Sequence, residues 1–235
     1  MSIGEVLSQL RADFPDASIS KIRFLEAAGL IEPERTSSGY RKFSYADLDR
    51  LRYILSQQRD HYYPLKVIRE HLDAMERGLE PPAAAGEAPR APRAIRAVAD
   101  VPDAAEFAAS PASDLRMSRP ELISNSGLTE DQLSQLIGFG LVKFRPGTEY
   151  FDADALVVAS TVAEMASFGL EPRHIRAFKA AADREVGLIE QVVSPLARQR
   201  DERAQAKAVE MVAELGALSV RLHAALVKTG LRSRR

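Results

Sequence analysis

The sequence predicts a mainly α-helical protein: two winged helix-turn-helix modules with short β-hairpin wings, joined by a Pro/Ala-rich linker and followed by a long C-terminal helix. Three observations carry this. Residues 78–113 hold six of the chain's thirteen prolines, many alanines and almost no large apolar side chain. Such a composition buries too little surface to offset the entropy of a fixed backbone, so it reads as a flexible linker. The segments on either side, 1–77 and 114–182, repeat the same order of helix-start, glycine and hairpin signals. Beyond them, 183–235 reads as a helical dimerisation region with a basic tail.

Each module opens on a capping box, in which Ser2 precedes Glu5 by three residues and Ser118 precedes Glu121 by three, with Pro120 tolerated in a first turn. A second helix follows, capped by Ser18 in one copy and Thr129 in the other, and ended by Gly29 and Gly140. The apolar pairs Leu30-Ile31 and Leu141-Val142 then lead into short extended runs broken by Gly39 and Gly147, the expected wings. Phe43, Asp47 and Leu48 enter the next helix of the first copy, and Tyr150, Asp154 and Ala155 are their expected counterparts. Shorter helices are expected over 65–75 and 172–182, with Ile68 and Ile175 in equivalent places. Last, Ser194-Pro195 forms a good N-cap and first-turn pair, which predicts one helix from there to Thr229. Met211, Leu215, Leu218 and Leu222 repeat along it at alternating spacings of four and three, a seam that needs a partner helix, from the same chain or from a second copy.

Composition removes several function classes. The chain has no cysteine, which excludes disulfides and thiolate metal sites. The four histidines, His61, His71, His174 and His223, lack metal-ligand spacing, and neither a phosphate-cradling glycine loop nor a nucleophile elbow is present. The expectation is a protein that is not an enzyme and takes no metal or cofactor. The N-terminus lacks signal-peptide character and no stretch approaches a membrane span, so a cytoplasmic location is expected.

A formal net charge of −1 gives no general sign of nucleic-acid binding, so the argument rests on where charges sit. Residues 1–77 balance twelve Lys and Arg against twelve Asp and Glu, yet 35–46 contains Arg35, Arg41 and Lys42 and only Asp-free, Glu-free sequence around them. Cations on a projecting hairpin neutralise phosphates and release counterions, and the Tyr40 hydroxyl can donate to a phosphate oxygen. On the helix after Ser18, the residues Ser18, Ser20, Lys21 and Arg23 are polar or basic near the N-terminus, where a phosphate is also favoured, while Ile22 and Leu25 point inward and Phe24 is expected in the core or, second, against the sugar backbone. Arg59, Tyr62 and Tyr63 form a basic and aromatic corner before Pro64. The second module is net acidic, with seven basic against nine acidic residues over 114–180, which favours assembly or regulation over DNA contact. The tail, with Arg232, Arg234 and Arg235, reads as solubilising.

From Arg23 the chain runs RFLEAAGLIEPERTSSGYRKFSYADLDRLRYI. This arginine-aromatic pair, Glu, Gly-Leu, Arg-Thr, Gly-Tyr-Arg, aromatic, Asp-Leu and Arg-Leu order resembles the MerR family of bacterial transcription regulators, nearest its actinobacterial FtsR-like subgroup. The likeness extends from Ile3-Gly4-Glu5-Val6 to LKVIREHL, over residues 2 to 75. Two departures stand out: the turn RADFPDAS is longer than the family's, and a linker and second module intervene where the family has a dimerisation helix and effector domain.

The resemblance implies a homodimeric, sequence-specific binder of double-stranded promoter DNA that presents that DNA to RNA polymerase, and the subgroup is described as touching cell-division genes. It implies that the helix after Ser18 enters the major groove, with Lys21 and Arg23 at base edges or nearby phosphates, and that Arg59 and Tyr62 act as a second wing. A rival reading is a protein-interaction adaptor working through the second module and C-terminal helix. A small-molecule effector is left open, with no convergent polar set to identify it.

Overall fold

A computed structural model describes residues 1–37, 39–82, 87–92 and 114–233. The chain divides into two compact units, Met1–Glu76 with Pro81–Glu87, and Arg77–Glu80 with Ala88–Arg235.

The first unit is built from α1 (Ile3–Leu10), α2 (Ile19–Ala27), β1 (Glu34–Arg35), β2 (Arg41–Lys42), α3 (Tyr45–Asp60) and α4 (Leu65–Glu76). Local chemistry sets its helix starts. Ser2 and Glu5 close the expected capping box on α1, Ser44 and Asp47 close another on α3, and the Ser18 hydroxyl accepts the Lys21 N–H at 3.2 Å on α2. Helix α2 stops where Gly29 takes φ +68°, which lets Leu30 N–H reach Leu25 O at 3.0 Å. Strands β1 and β2 pair antiparallel, with Glu34 opposite Lys42 and Arg35 opposite Arg41. Inside, Leu10, Leu25, Phe43, Leu51, Ile54 and Ile68 belong to one buried cluster. That cluster draws on every helix and on the residue after β2, so the wing root and α2 share a core.

The second unit contains α5 (Arg119–Ser126), α6 (Glu130–Gly138), α7 (Ala153–Ser167), α8 (Pro172–Ala197) and α9 (Glu202–Arg232). Ser118 with Glu121 and Thr129 with Gln132 start α5 and α6, and Gly140 at φ +70° repeats the stop seen at Gly29. The likeness between the copies then weakens. Among the described residues the expected second wing has no strand ladder: Arg145 N–H bonds Tyr150 O at 2.8 Å, and Phe151 instead forms a bridge with Met117. Pro146 removes one donor from the run, and the Met117 backbone takes the partner groups that a second strand would have used.

The expected counterpart of Phe43 is also one residue off. Phe151, not Tyr150, is fully buried, and Asp152 rather than a residue after it caps α7 by accepting Ala155 N–H at 2.9 Å. Tyr150 is exposed.

The C-terminal helices differ most from expectation. Helix α8 does not end near residue 182 but runs to Ala197 with Pro195 inside its last turn, and Asp201, not Ser194, caps the final helix. Pro195 has no N–H to give the Gln191 carbonyl and its ring crowds that carbonyl, so it weakens the last turn of α8, which ends two residues later. Helices α8 and α9 pack as an antiparallel pair, since Glu185 on α8 meets both Ser219, at 2.9 Å, and His223, at 3.0 Å, far along α9. Small residues, Ala204, Ala208, Ala213 and Gly216, are the buried ones on α9. Of the predicted seam, Met211 and Leu215 are half-buried, while Leu218 and Leu222 are exposed.

Parts of the expected linker are held rather than free. Glu80 and Arg90 exchange backbone hydrogen bonds at 2.7 and 2.9 Å, and the Asn125 side chain binds Ala91 N–H at 2.7 Å and Pro89 O at 3.0 Å. Polar backbone bonding, together with buried Ala91, supplies what the missing apolar side chains do not. Gly78 sits at φ +75°, where a Cβ would lie 3.2 Å from Leu115 N. Beside it the Arg77 guanidinium grips Glu121 through two bonds of 2.5 and 2.7 Å. Burial pushes the Glu121 carboxyl up, but Arg77 and the Ser118 N–H and hydroxyl outweigh it and hold the group below its usual range. Residues 83–86 and 93–113 of that linker, and Arg234 and Arg235 of the tail, lie outside the described residues. Among the described residues no helix is long and apolar enough to cross a membrane.

Candidate nucleic-acid interface

The site is assembled from α2 and the wing that follows it. Ser18 fixes the first turn of α2, and from there Ile22 and Leu25 turn inward while Ser20 and Arg23 face solvent and Lys21 is half-exposed. Of the two places expected for Phe24, it does not take the core. It is 58% exposed, because the 3.6-residue period that buries Ile22 and Leu25 carries position 24 to the outside. An apolar ring beside Arg23 and Lys21 adds a surface suited to sugar or thymine methyl contact.

The wing is tightened at its tip by Thr36 N–H to Tyr40 O at 2.9 Å, Gly39 N–H to Thr36 O at 2.8 Å, and Tyr40 N–H to the Thr36 hydroxyl at 3.1 Å. Gly39 takes φ +83°, the left-handed conformation this turn requires. The Tyr40 side chain projects, 74% exposed. At the root, buried Phe43 donates its N–H to Met1 O at 2.8 Å, which holds the hairpin against the start of α1.

The wing arginines are not bare cations. Arg41 Nε donates to Glu26 Oε2 at 2.6 Å, and Arg35 Nη2 lies 3.5 Å from Glu26 Oε1. Glu26 stands on the last turn of α2, so one carboxylate ties the wing to the helix that precedes it. Sequence reading found no acid within 35–46 and missed this residue because the partner lies outside the hairpin. Lys21, Arg23 and Lys42 make no ion pair among the described residues. Their charges are therefore uncommitted.

At the expected second wing, Tyr62 is 87% exposed and holds φ +55°, a conformation rare for a non-glycine residue. His61 and Tyr63 stack across it at 5.3 Å between ring centroids. Arg59 is engaged inward and sideways: Nε and Nη2 donate to Asp60 at 2.7 and 3.1 Å, Nη1 donates to Asp13 O at 3.1 Å, and the guanidinium lies 4.8 Å over the Phe14 ring. Donating to the Asp60 carboxylate raises Arg59, and Arg59 in turn holds Asp60 below its ordinary value.

The helices of the second unit present a different surface. Leu188, Leu218, Leu222 and Leu226 are exposed along α8 and α9 and border a groove of about 360 Å³ with Glu185 and His223 at its polar edge. Hydrogen bonds from Ser219 and to His223 hold the Glu185 carboxyl below its usual range. Among the described residues no group of His, Asp and Glu side chains is arranged to hold a metal ion.

Comparison with known proteins falls on the same two segments. Residues 1–75 match the family described as MerR HTH family regulatory protein, and residues 115–235 match the family described as Rv1828-like, C-terminal domain. The second match spans the α5–α7 module and the α8–α9 pair together. The chain is 43% identical over 232 residues to the HTH-type transcriptional regulator Rv1828 of Mycobacterium tuberculosis, covering 99% of this chain and 94% of that protein. The HTH-type transcriptional regulator Mb1859 of Mycobacterium bovis matches to the same extent. The HTH-type transcriptional regulator TnrA of Bacillus subtilis is 36% identical over 53 residues, 23% of this chain and 48% of that protein.

Proposed function

The chain belongs to the MerR family of helix-turn-helix transcriptional regulators, with an Rv1828-like C-terminal domain, and from that membership we propose that it binds promoter DNA sequence-specifically as a homodimer. Lys21 and Arg23 read base edges from the major groove, while Tyr40, Arg41 and Lys42 hold the phosphate backbone. The observation that carries this reading is the Glu26 carboxylate, which joins the wing to α2 and leaves Lys21, Arg23 and Lys42 uncommitted on that joined element.

Dimerisation through α8 and α9 is supported by the exposed leucines Leu218 and Leu222, which stand in line with half-buried Met211 and Leu215. A twofold dimer matches a twofold operator and doubles the contact. The family resemblance extends the proposal to RNA polymerase as a partner at the promoter, and to cell-division genes as targets by likeness to the FtsR-like subgroup. The adaptor reading is favoured by one observation, exposed Phe168 and Phe178 on the second unit, and predicts duplex-independent partner capture.

The test is selection of bound duplexes from a random pool by the full chain, with its mass in solution measured in parallel. An enriched inverted repeat and a dimeric mass are expected. Failure to enrich any sequence would sink the DNA-reading proposal and leave the adaptor.

A further inference from the structure

Arg59 does not sit as a waiting phosphate ligand. All three of its nitrogens donate within the protein, and its charge is offset by Asp60 through two bonds. Its other contacts point to one place, the long turn between α1 and α2. The guanidinium covers the outer face of Phe14, and Nη1 holds the carbonyl of Asp13.

That turn ends at the cap of α2. Phe14 N–H bonds Leu10 O at 2.8 Å, and Phe14 O accepts Ala17 N–H at 3.0 Å, immediately before the Ser18 cap. Phe14 packs against the core on its inner side, so the ring is clamped between buried apolar residues and the Arg59 fork. About two helical turns upstream on α3, Arg52 Nε lies 3.8 Å from an Asp13 carboxylate oxygen, an ion pair to the same turn. Lys21 borders the same hollow as Phe14 and Arg59. A turn with several extra residues leaves the entry of α2 poorly defined unless another element fixes it. The end of α3 does so here.

We propose that Arg59 is a positioning residue for sequence readout: it clamps Phe14 and Asp13, and thereby sets where the N-terminus of α2, with Lys21, enters the groove. The role rests on the DNA-reading function proposed above. It replaces direct phosphate contact by Arg59 with control of the recognition helix through the turn. A planar fork is needed, because stacking on Phe14 and reaching both Asp13 O and Asp60 uses geometry that a lysine ammonium lacks.

The test compares Arg59→Lys, Arg59→Ala and Phe14→Leu in the full chain. Each is titrated against the selected duplex, single-mismatch duplexes and a scrambled duplex, over a range of salt. The scrambled-duplex affinity and thermal unfolding report whether each variant is folded. The expected result is that all three lose discrimination against mismatches by about fivefold or more, a size within the usual cost of one mismatch. Salt slopes should stay within about half a phosphate contact of the parent. The Phe14→Leu/Arg59→Lys double variant should be no worse than the poorer single one, since both break one clamp.

A fall in slope of about 0.9 for Arg59→Ala, restored by Arg59→Lys with discrimination intact, would overturn the role and make Arg59 a phosphate ligand. Unchanged discrimination in all three would overturn it as well. Should the parent chain itself fail to prefer the selected duplex over the scrambled one, the DNA-reading premise falls first, and the positioning role with it.

Discussion

Glu26 Oε2 lies 2.6 Å from Arg41 Nε, and the two residues belong to different parts of the expected DNA-binding surface, the end of α2 and strand β2. The bond converts two elements into one. It also holds a negative charge beside the cations that are proposed to face phosphate. Replacing Glu26 with Gln removes that charge and keeps the shape. The expected outcome is tighter binding to scrambled duplex with a steeper salt slope, and poorer discrimination among sequences, because the wing no longer tracks α2. Titration of both duplexes at several salt concentrations measures all three; a parallel loss of affinity for every duplex would count against the coupling.

Lys42 and Arg23 are expected to fail differently. Lys42→Ala should weaken binding to every duplex and lower the salt slope by about 0.9, the value for one phosphate contact in B-form DNA. Arg23→Ala should cost about 1–3 kcal/mol at one base position and change the preferred sequence there. Repeating the duplex selection with each variant separates them. An unaltered preference after Arg23→Ala would remove that residue from the readout.

Phe43 and Phe151 are both fully enclosed, each at the root of the segment leading into the next helix. Alanine at either should destabilise its unit by about 3–5 kcal/mol, the usual cost of truncating a buried phenylalanine. Tyr150→Ala should cost far less, because Tyr150 is exposed. Denaturant unfolding of the three variants checks the register directly, and a large loss at Tyr150 would return the equivalence to that residue.

His71 gives the first unit a pH dependence. Burial pushes its imidazole below the ordinary value of about 6.5, with Tyr53 Oη 3.0 Å from Nδ1 and the Tyr63 ring edge-on at 5.4 Å. The unfolded chain therefore takes up a proton before the folded one does. Stability from this group is complete above about pH 6.5 and declines as pH falls through the interval beneath it. The lowered carboxyls of Glu121 and Glu185 act in the same direction, but only below the ordinary carboxylate range. Urea midpoints at pH 7.5 and 5.5 should differ for the parent, and the difference should shrink in His71→Asn. An undiminished difference would assign it to other groups.

Leu218 and Leu222 are exposed on α9, so glutamate at either should leave the fold of one chain nearly unchanged while opposing burial between copies. Sedimentation is expected to show a shift from dimer toward monomer, with a matching loss of affinity for an inverted repeat. A dimer that survives Leu218→Glu and Leu222→Glu together would move the interface elsewhere.

What could be read in advance was whatever acts over a few residues. Ser2, Ser18, Ser118 and Thr129 mark helix starts because a capping oxygen needs only its own next turn, and Gly29 and Gly140 mark stops because only the local φ decides. The misread features depend on partners far along the chain. Glu26 reaches Arg41 across 15 residues, and the Phe151 backbone pairs with Met117 rather than with a neighbouring strand. The local preference of Ser194-Pro195 marks a helix start, whereas α8, packed along α9, runs through Pro195 to Ala197. Phe24 has two expected places, and its type favours the wrong one: an aromatic side chain usually signals core, and here the helical period turns it outward.

The buried alanines on α9, Ala204, Ala208 and Ala213, and the outward leucines, Leu218, Leu222 and Leu226, impose opposite demands on a single helix. The first set tolerates no added volume, since growth would push α8 away; the second tolerates no added charge if it meets a second copy, but accepts larger apolar groups. Ala204 and Ala208 share one helical face with Leu218, Leu222 and Leu226, 10 or more residues further on. A saturation scan along α9 would therefore print one stripe whose demand changes along its length, from a ceiling on size near the helix start to a floor on hydropathy further on if a second copy covers it.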